Sequence, residues 1–245
     1  MRYPIASLIF AGIALATTLA ASEPPAASEL LERSIAYHDP DNLWQTARFG
    51  LQIEESRPDG EVRNTRLQLS NALQSFEIVT EREGATIEGL MADPGWDCVW
   101  TLDGSADFTD ADRDRYKLTC DHLRWLRDYY TYLWGLPMKL RDPGTRLDPA
   151  VVPDTYDHQS VWRLRVTYDE SVGSDTWYLY FDRQTFRLAG YRFYHDEAQN
   201  DGEYILLDGE VESQGMRIPR RRSWYSHSEN RHLGDDLLVD LEVRP

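Results

Sequence analysis

Cations are scarce in this sequence. Lysine and arginine together number 26 against 42 aspartates and glutamates, so the 245 residues carry a formal net charge of −16. Nucleic-acid phosphates must be neutralised by cations, and anionic lipid headgroups repel an acidic surface. We therefore expect no nucleic-acid partner and no adsorption to anionic membranes, and we attribute most of the negative charge to solubility.

Cysteine is also scarce, because the chain contains only Cys98 and Cys120. A zinc site needs about four ligands, and no histidine pair lies near these cysteines, so we predict no metal. In an exported protein an isolated pair of cysteines typically forms one disulfide, which we predict here.

The one long apolar run lies at the N-terminus. It extends over Ile5–Leu19, follows Arg2, and is succeeded by the small-x-small pattern Thr18-Leu19-Ala20. This pattern is typical of a secretory signal peptide over residues 1–20, and the run is short for a membrane span. An uncleaved anchor is the alternative. We expect an exported, periplasmic protein with no integral membrane span after cleavage.

Residues 21–245 contain no repeat or linker, which predicts a single domain. Ser28 is a candidate N-cap for a first helix that ends at His38-Asp39-Pro40, since proline cannot continue a helix. Alternating apolar and polar residues then indicate strands. The predicted strands are Phe49–Ile53, Thr65–Leu69, Phe76–Val79, Ile87–Met91, Cys98–Leu102, Val161–Thr167, Thr176–Phe181, Phe186–Tyr194, Tyr204–Glu212, Met216–Tyr225 and Leu237–Val243. Short turns containing Asp, Asn or Gly favour antiparallel meanders, so the predicted class is α+β and rich in strands.

A second helix is predicted over Leu123–Trp134, between the two runs of strands. Its apolar side chains cover roughly 200° of the helical wheel, about twice the stripe that a surface helix needs. Asp121 is a candidate N-cap, and Gly135 followed by Pro137 predicts an end with the glycine in the left-handed conformation. A helix this apolar must be covered on two sides.

Two arrangements would cover it. In the first, a curved sheet wraps the helix and every ring belongs to a solid core. In the second, the helix plugs a concave sheet, and Trp125, Tyr129 and Tyr132 line a space for an apolar ligand.

Three segments carry a family resemblance: "RDYYTYLWGLPMKLRDPGT", "VTYDESVGSDTWYLYFD" and "GEYILLDGE". They resemble a family of uncharacterised exported bacterial proteins that is related to the lipoprotein-carrier (LolA/LolB-like) superfamily. The resemblance implies an antiparallel half-barrel, here of about 10–11 strands, curled around the central aromatic helix and joined by the N-terminal helix. By analogy it also implies shelter for acyl chains, but it supplies no catalytic residues.

Two other patterns suggest sites. Asp110-x-Asp112-x-Asp114 matches the first ligands of a calcium loop, but Arg115 stands where the loop needs glycine, so a solvated acidic loop is expected instead. His195-Asp196-Glu197 is the only tight cluster around a histidine. No G-x-S-x-G or H-E-x-x-H motif and no glycine-rich phosphate loop occurs in the sequence. We therefore expect a non-enzymatic protein without a cofactor.

Arg220-Arg221-Arg222 is the one basic run. Ordinary pairing with carboxylates is one interpretation, and the other places Arg222 at a polar rim that meets the carboxylate or phosphate of a ligand. The favoured function is binding of a hydrophobic small molecule, a lipid or an acylated protein, through Trp125, Tyr129, Tyr132 and Arg222. An exported hydrolase and an interaction scaffold with a solid core are the alternatives.

Overall fold

The structure is a computed structural model that describes residues 23–60, 62–92 and 97–245. The signal peptide predicted over residues 1–20 lies outside the described residues. Within the described ranges, the helices are α1 (Ala27–His38), α2 (Leu43–Thr46), α3 (Asp110–Tyr116) and α4 (Cys120–Gly135), with 3-10 turns at Met138–Arg141 and Glu197–Gln199. None of these helices is long and apolar enough to cross a membrane.

The described residues also form one antiparallel sheet of 13 strands. The strands are β1 (Arg48–Ser56), β2 (Arg63–Ser70), β3 (Ser75–Arg82), β4 (Ala85–Met91), β5 (Cys98–Leu102), β6 (Thr145–Leu147), β7 (Val152–Tyr156), β8 (Gln159–Tyr168), β9 (Thr176–Asp182), β10 (Leu188–Tyr194), β11 (Glu203–Ser213), β12 (Met216–Ser226) and β13 (His232–Arg244). The spatial order is β5-β4-β3-β2-β1-β13-β12-β11-β10-β9-β8-β6, with β7 also paired to β8. Pairing of β1 with β13 joins the two runs of strands into one sheet.

The predicted fold class is confirmed, since an open, curved antiparallel sheet surrounds a central helix and carries an N-terminal helix. The predicted strand count was slightly low because β6 and β7 are short edge strands, of 3 and 5 residues. Alternation explains the longer strands: in β1, Phe49, Leu51 and Ile53 are buried and their neighbours are exposed or half-buried.

The start of α1 differs from the prediction. Ala26 rather than Ser28 occupies the N-cap position, and no side chain caps this end. After α1, the Asp39 carboxylate accepts hydrogen bonds from the backbone N–H groups of Leu43 (2.7 Å) and Trp44 (2.9 Å). These bonds start α2, which the sequence pattern did not indicate, and they bring the Trp44 ring into the core.

The acidic segment predicted as a solvated loop is the helix α3. Thr109 accepts a hydrogen bond from the backbone N–H of Asp112 (3.1 Å), and the Asp112 carboxylate accepts one from the N–H of Thr109 (3.4 Å). This reciprocal pair is a capping box, which satisfies donors that a helix start leaves free. In the part of the chain that the structure describes, no group of three or more His, Cys, Asp or Glu side chains could hold a metal ion.

The aromatic helix α4 is longer than predicted. Its N-cap is Thr119, whose side chain accepts from the N–H of His122 (3.2 Å), rather than Asp121. Gly135 lies inside the helix and not in a left-handed cap, and Leu136 continues in extended conformation. A Cβ atom at position 135 would collide with the Trp44 ring, so this glycine permits close packing.

Candidate functional site

The helix α4 crosses the core face of the sheet from one edge towards the middle. At its start, the disulfide between Cys98 of β5 and Cys120 joins it to the edge strand, as predicted, with Cα atoms 5.5 Å apart. In its second half, the Tyr130 hydroxyl donates to the Glu55 carboxylate of β1 (3.1 Å). The Leu133 carbonyl accepts from the Arg222 guanidinium of β12 (3.1 Å).

A cavity of about 260 Å³ lies between the first half of α4 and strands β2–β5. We call it the aromatic cavity, because five of its lining residues are tryptophan or tyrosine. Its lining residues are Arg63, Ile78, Thr80, Arg82, Ile87, Trp100, Tyr116, Lys117, His122, Trp125, Leu126, Tyr129 and Tyr130.

Three rings on successive turns of α4 form the helix side of the aromatic cavity. Trp125 stacks on His122 with ring centroids 5.6 Å apart, and on Tyr129 with centroids 5.2 Å apart. These residues are spaced by three and four positions, which places them on one helix face. Trp125 is 56% exposed, an unusual position for so large an apolar ring. The stack therefore offers exposed aromatic surface at the mouth of the aromatic cavity.

The floor beneath Tyr130 is a polar network. Arg63 donates two hydrogen bonds to the buried Glu55 carboxylate (2.9 and 2.6 Å), and the Thr65 hydroxyl donates a third (2.6 Å). Burial opposes the charged form of Arg63, but the hydrogen bonds and charge of Glu55 outweigh it, so the pKa of Arg63 is raised. Burial, with the Glu55 charge, also raises the pKa of Tyr130, which keeps its hydroxyl protonated. Because these donors satisfy the hydrogen-bonding capacity of the Glu55 carboxylate, the network forms a rigid polar base beneath Tyr130.

Arg222 is deeply buried and does not lie at a rim, contrary to the prediction. Its guanidinium stacks over the Trp134 ring at 3.6 Å from the centroid and donates to the carbonyls of Leu133 and Pro219, each at 3.1 Å. Burial lowers its pKa. A planar, weakly hydrated guanidinium suits this position between a ring and two carbonyls. The sequence pattern alone could not distinguish the two faces of β12.

Beside Arg222 lies the buried carboxyl of Asp236, which is directly opposite Glu55 in the β1–β13 pairing. Burial and the charge of Glu55 raise its pKa. Asp236 accepts hydrogen bonds from Trp224 Nε1 (2.7 Å) and from Arg57 (3.3 Å). These contacts hold the middle of the sheet under α4 and do not reach the aromatic cavity.

Tyr132 lies on the other flank of α4, away from the aromatic cavity. Its ring packs edge-on against Trp177 with centroids 5.0 Å apart, and its hydroxyl hydrogen-bonds to that of Tyr168. Of the four predicted ligand residues, the structure therefore brings together Trp125 and Tyr129, buries Arg222 and packs the half-buried Tyr132 against the core. Sequence reasoning missed His122, although its position three residues before Trp125 is a helical-face signal.

His195, Asp196 and Glu197 are adjacent in the sequence but do not contact one another as a cluster; each has a different partner. His195 Nδ1 is 2.9 Å from the Asp175 carboxylate, which raises the pKa of the imidazole. Asp196 instead caps a turn by accepting from the N–H of Ala198 (3.0 Å), and Glu197 accepts from the Tyr178 hydroxyl (2.6 Å). The contact between His195 and Asp175 is solvent-exposed and lies at the end of β10.

The fold matches solved structures of low sequence identity. It is similar to the crystal structure of a LolA superfamily protein from Nitrosomonas europaea, with a TM-score of 0.53 and 16% identity over 90% of this chain and 94% of that chain. It is also similar to that of a DUF1329 family protein from Desulfovibrio piger, with a TM-score of 0.52 and 9% identity over 90% of this chain and 93% of that chain. At such identities the likeness shows the fold, and it confirms the lipoprotein-carrier-like architecture that the three sequence segments implied.

No curated protein matches the chain in a sequence comparison. A family model described as "Family of unknown function (DUF6503)" matches residues 10–241. That match spans nearly the whole sequence, from the predicted signal peptide into β13, so the chain belongs to the DUF6503 family.

Proposed function

We propose that this is an exported, non-enzymatic protein that binds or shelters a hydrophobic molecule, either a lipid or an acylated partner, in the aromatic cavity. The observation that carries the proposal is the stack of His122, Trp125 and Tyr129, which places an exposed tryptophan ring beside a cavity of about 260 Å³. Exposed aromatic surface beside a cavity is typical of binding sites.

The chemistry of the walls favours an acyl chain. Flat rings and the side chains of Ile78, Ile87 and Leu126 present apolar surface on several sides of the aromatic cavity. Each methylene group that leaves water for such a surface contributes about 0.8 kcal/mol. The cavity volume is near the lower end of small-molecule pockets, about 300 Å³, so it suits one end of a chain whose remainder lies along the exposed Trp125 face.

Export is part of the proposal. The disulfide between Cys98 and Cys120 supports it, because disulfides persist in oxidising compartments such as the bacterial periplasm. The likeness of the fold to a LolA superfamily protein supports a role in which a sheet shelters an apolar ligand, by analogy of architecture.

A fluorescent fatty-acid probe tests the proposal directly. We expect saturable binding to the purified, lipid-stripped protein, and displacement of the probe by unlabelled fatty acid. Trp125→Ala should weaken probe binding about tenfold, since loss of a ring that contacts the chain removes about 1.4 kcal/mol or more. Native mass spectrometry of protein purified from its own host should show a co-purifying lipid mass.

Leu73→Ala is the matched control, because Leu73 is 50% exposed, like Trp125, but lies in the turn between β2 and β3. It should bind the probe like the wild type. Absence of saturable binding together with a clean unliganded mass would reject the proposal in favour of a solid-core scaffold. Progressive cleavage of an ester probe by the protein would instead favour the hydrolase alternative.

A further inference from the structure

The charges around the aromatic cavity are opposite to those of the protein as a whole. Its lining includes three cations, Arg63, Arg82 and Lys117, and no aspartate or glutamate. The chain as a whole has 42 acidic against 26 basic residues. A cleft lined by one sign of charge attracts ligands of the other sign, even where the net charge of the protein opposes them.

One of the three cations is already neutralised. Arg63 lies at the floor with two hydrogen bonds to Glu55. Arg82 and Lys117 differ, because within the described ranges neither lies within ion-pair distance of a carboxylate. Glu83, which follows Arg82 in the chain, is paired with Arg115 instead. Among residues 23–60, 62–92 and 97–245, no carboxylate therefore neutralises the two cations at the mouth of the aromatic cavity.

The backbone holds these two cations in place. Arg82 is the last residue of β3, and Lys117 is the C-cap of α3, where it adopts the left-handed conformation with φ 58°. The segment that follows Lys117 is fixed to β5 by the Cys98–Cys120 disulfide and by the hydrogen bond from Trp100 Nε1 to the Thr119 carbonyl (3.1 Å). Both cations thus extend from ordered backbone at the border of the cavity, so a ligand has to order only their side chains.

The His122 ring lies at the same mouth. Burial, together with the positive charges of Lys117 and Arg82, lowers its pKa. A neutral imidazole stacked on Trp125 adds apolar surface and one N–H donor without adding charge. The mouth therefore combines an apolar wall with two free cations.

We infer that the ligand of the aromatic cavity is an anionic amphiphile, whose apolar chain lies among the rings and whose carboxylate or phosphate is bound by Arg82 and Lys117. This inference rests on the proposed function and names the chemical class of its ligand. An unpaired guanidinium and an unpaired ammonium at the open end of an apolar cavity match a single negative group at the end of a chain. The sequence pattern suggested that Arg222 binds the carboxylate or phosphate of a ligand. The cations that border the cavity are instead Arg82, at the end of β3, and Lys117, at the C-cap of α3.

Two matched pairs of ligands test the inference by displacement of the fluorescent probe. The first pair is a saturated fatty acid and the alcohol of the same chain length, and the second is a lysophosphatidate and the corresponding monoacylglycerol. At low salt we expect the anionic member of at least one pair to bind about five to ten times more tightly than its neutral partner, since two solvent-accessible ion pairs contribute a few-fold each. The pair with the larger preference identifies the source of the anion, and added salt should reduce the preference.

The variant R82Q/K117Q should lose the preference, so that each anionic ligand binds no more tightly than its neutral partner. Lys139→Gln is the matched control, because Lys139 is the other lysine of the chain and already pairs with Asp142. It should retain the preference. Equal binding within both pairs, or a preference that persists in R82Q/K117Q, would overturn the inference while leaving the proposed function intact. Failure of all four ligands to bind would overturn both.

A footprint on the unmodified protein gives a second measurement that does not depend on a variant. Acetylation of Lys117 should slow several-fold in the presence of the anionic ligand but not of its neutral partner, with Lys139 as the internal reference. Equal rates of Lys117 acetylation with both ligands would count against the inference.

Discussion

His38 accepts a hydrogen bond at Nε2 from the backbone N–H of Leu188, 3.0 Å away and 150 positions along the chain. Its Nδ1 lies 2.8 Å from the carbonyl of Arg217. An acceptor at Nε2 and a donor at Nδ1 require the neutral imidazole. This fully buried side chain therefore joins α1 to β10 and β12 only while it is unprotonated.

Acidification should break this connection. Burial, helped by the charges of Arg187, Arg217 and Arg222, lowers the pKa of His38 from 6.5 to about 4. Between these values the unfolded chain binds more protons than the folded one, so folding stability falls as the pH drops from 6.5 towards 4. At about 1.4 kcal/mol per pKa unit, we expect a loss on the order of 3 kcal/mol in the free energy of unfolding.

Urea unfolding at a series of pH values measures this loss. Many carboxylates also titrate in this range, so the informative quantity is the difference between the wild type and His38→Gln, which keeps a donor and an acceptor without a proton-binding site. The variant should be less stable at pH 7, and its deficit should shrink as the pH falls towards 4. Parallel stability curves would show that His38 does not titrate as argued.

Much of the fold could be predicted from the sequence because most strands alternate strictly and α4 is apolar around most of its circumference. The misses have local causes. β6 and β7 are too short to show a period. The helix α3 has only 7 residues and is acidic at its start, and the capping box between Thr109 and Asp112 stabilises its first turn. Gly135 was misassigned because its use depends on a tertiary contact with Trp44.

The site could be predicted only in part. Trp125 and Tyr129 could be placed side by side because they lie on one helix face, and that spacing is visible in the sequence. That they bind a ligand stays a prediction. Arg82 and Lys117 come from different elements that meet only in the folded chain, and no sequence period connects them. Tyr132 was predicted on the same helix flank as Trp125 and Tyr129, and Arg222 was predicted from the basic run. Packing against Trp177 instead half-buries Tyr132 on the other flank, and stacking on Trp134 buries Arg222.

Removing the disulfide should destabilise the protein and loosen the start of α4. Cys98 and Cys120 are separated by 22 positions, and closing a loop of this length stabilises the folded state by about 3 kcal/mol in the chain-entropy model. The variant C98S/C120S should therefore unfold at lower denaturant concentration by that free energy. Hydrogen exchange should also accelerate in α3 and the first turn of α4, but not in α1.

Comparison of the oxidised and the reduced wild type provides the control, because reduction changes no side chain other than the two cysteines. The reduced protein should match C98S/C120S in its unfolding midpoint. Coincident midpoints for the oxidised and the reduced protein would show that the loop is ordered without the bond.

Gly89 of β4 lies close to the start of α4, next to the side chain of Leu123. A Cβ atom at this position would lie 2.7 Å from Cζ3 of Trp100 in β5 and 2.8 Å from Cδ1 of Leu123 in α4. Gly89→Ala must therefore displace both of these buried side chains. Overpacking of this kind costs about 1–3 kcal/mol. Gly50→Ala is the matched control in β1, where the nearest atom to the added Cβ would be 3.5 Å away.

The two substitutions should differ in both stability and binding. Gly50→Ala should be neutral or stabilise by up to about 1 kcal/mol, because alanine restricts the unfolded chain. Gly89→Ala should lower the free energy of unfolding and also weaken binding of the fatty-acid probe, since Trp100 lines the aromatic cavity and Leu123 sets the position of α4 above it. Denaturant unfolding and probe titration measure the two effects separately. Equal stability of the two variants would mean that α4 can move away from β4 without cost, and the close packing argued for this helix would then be wrong.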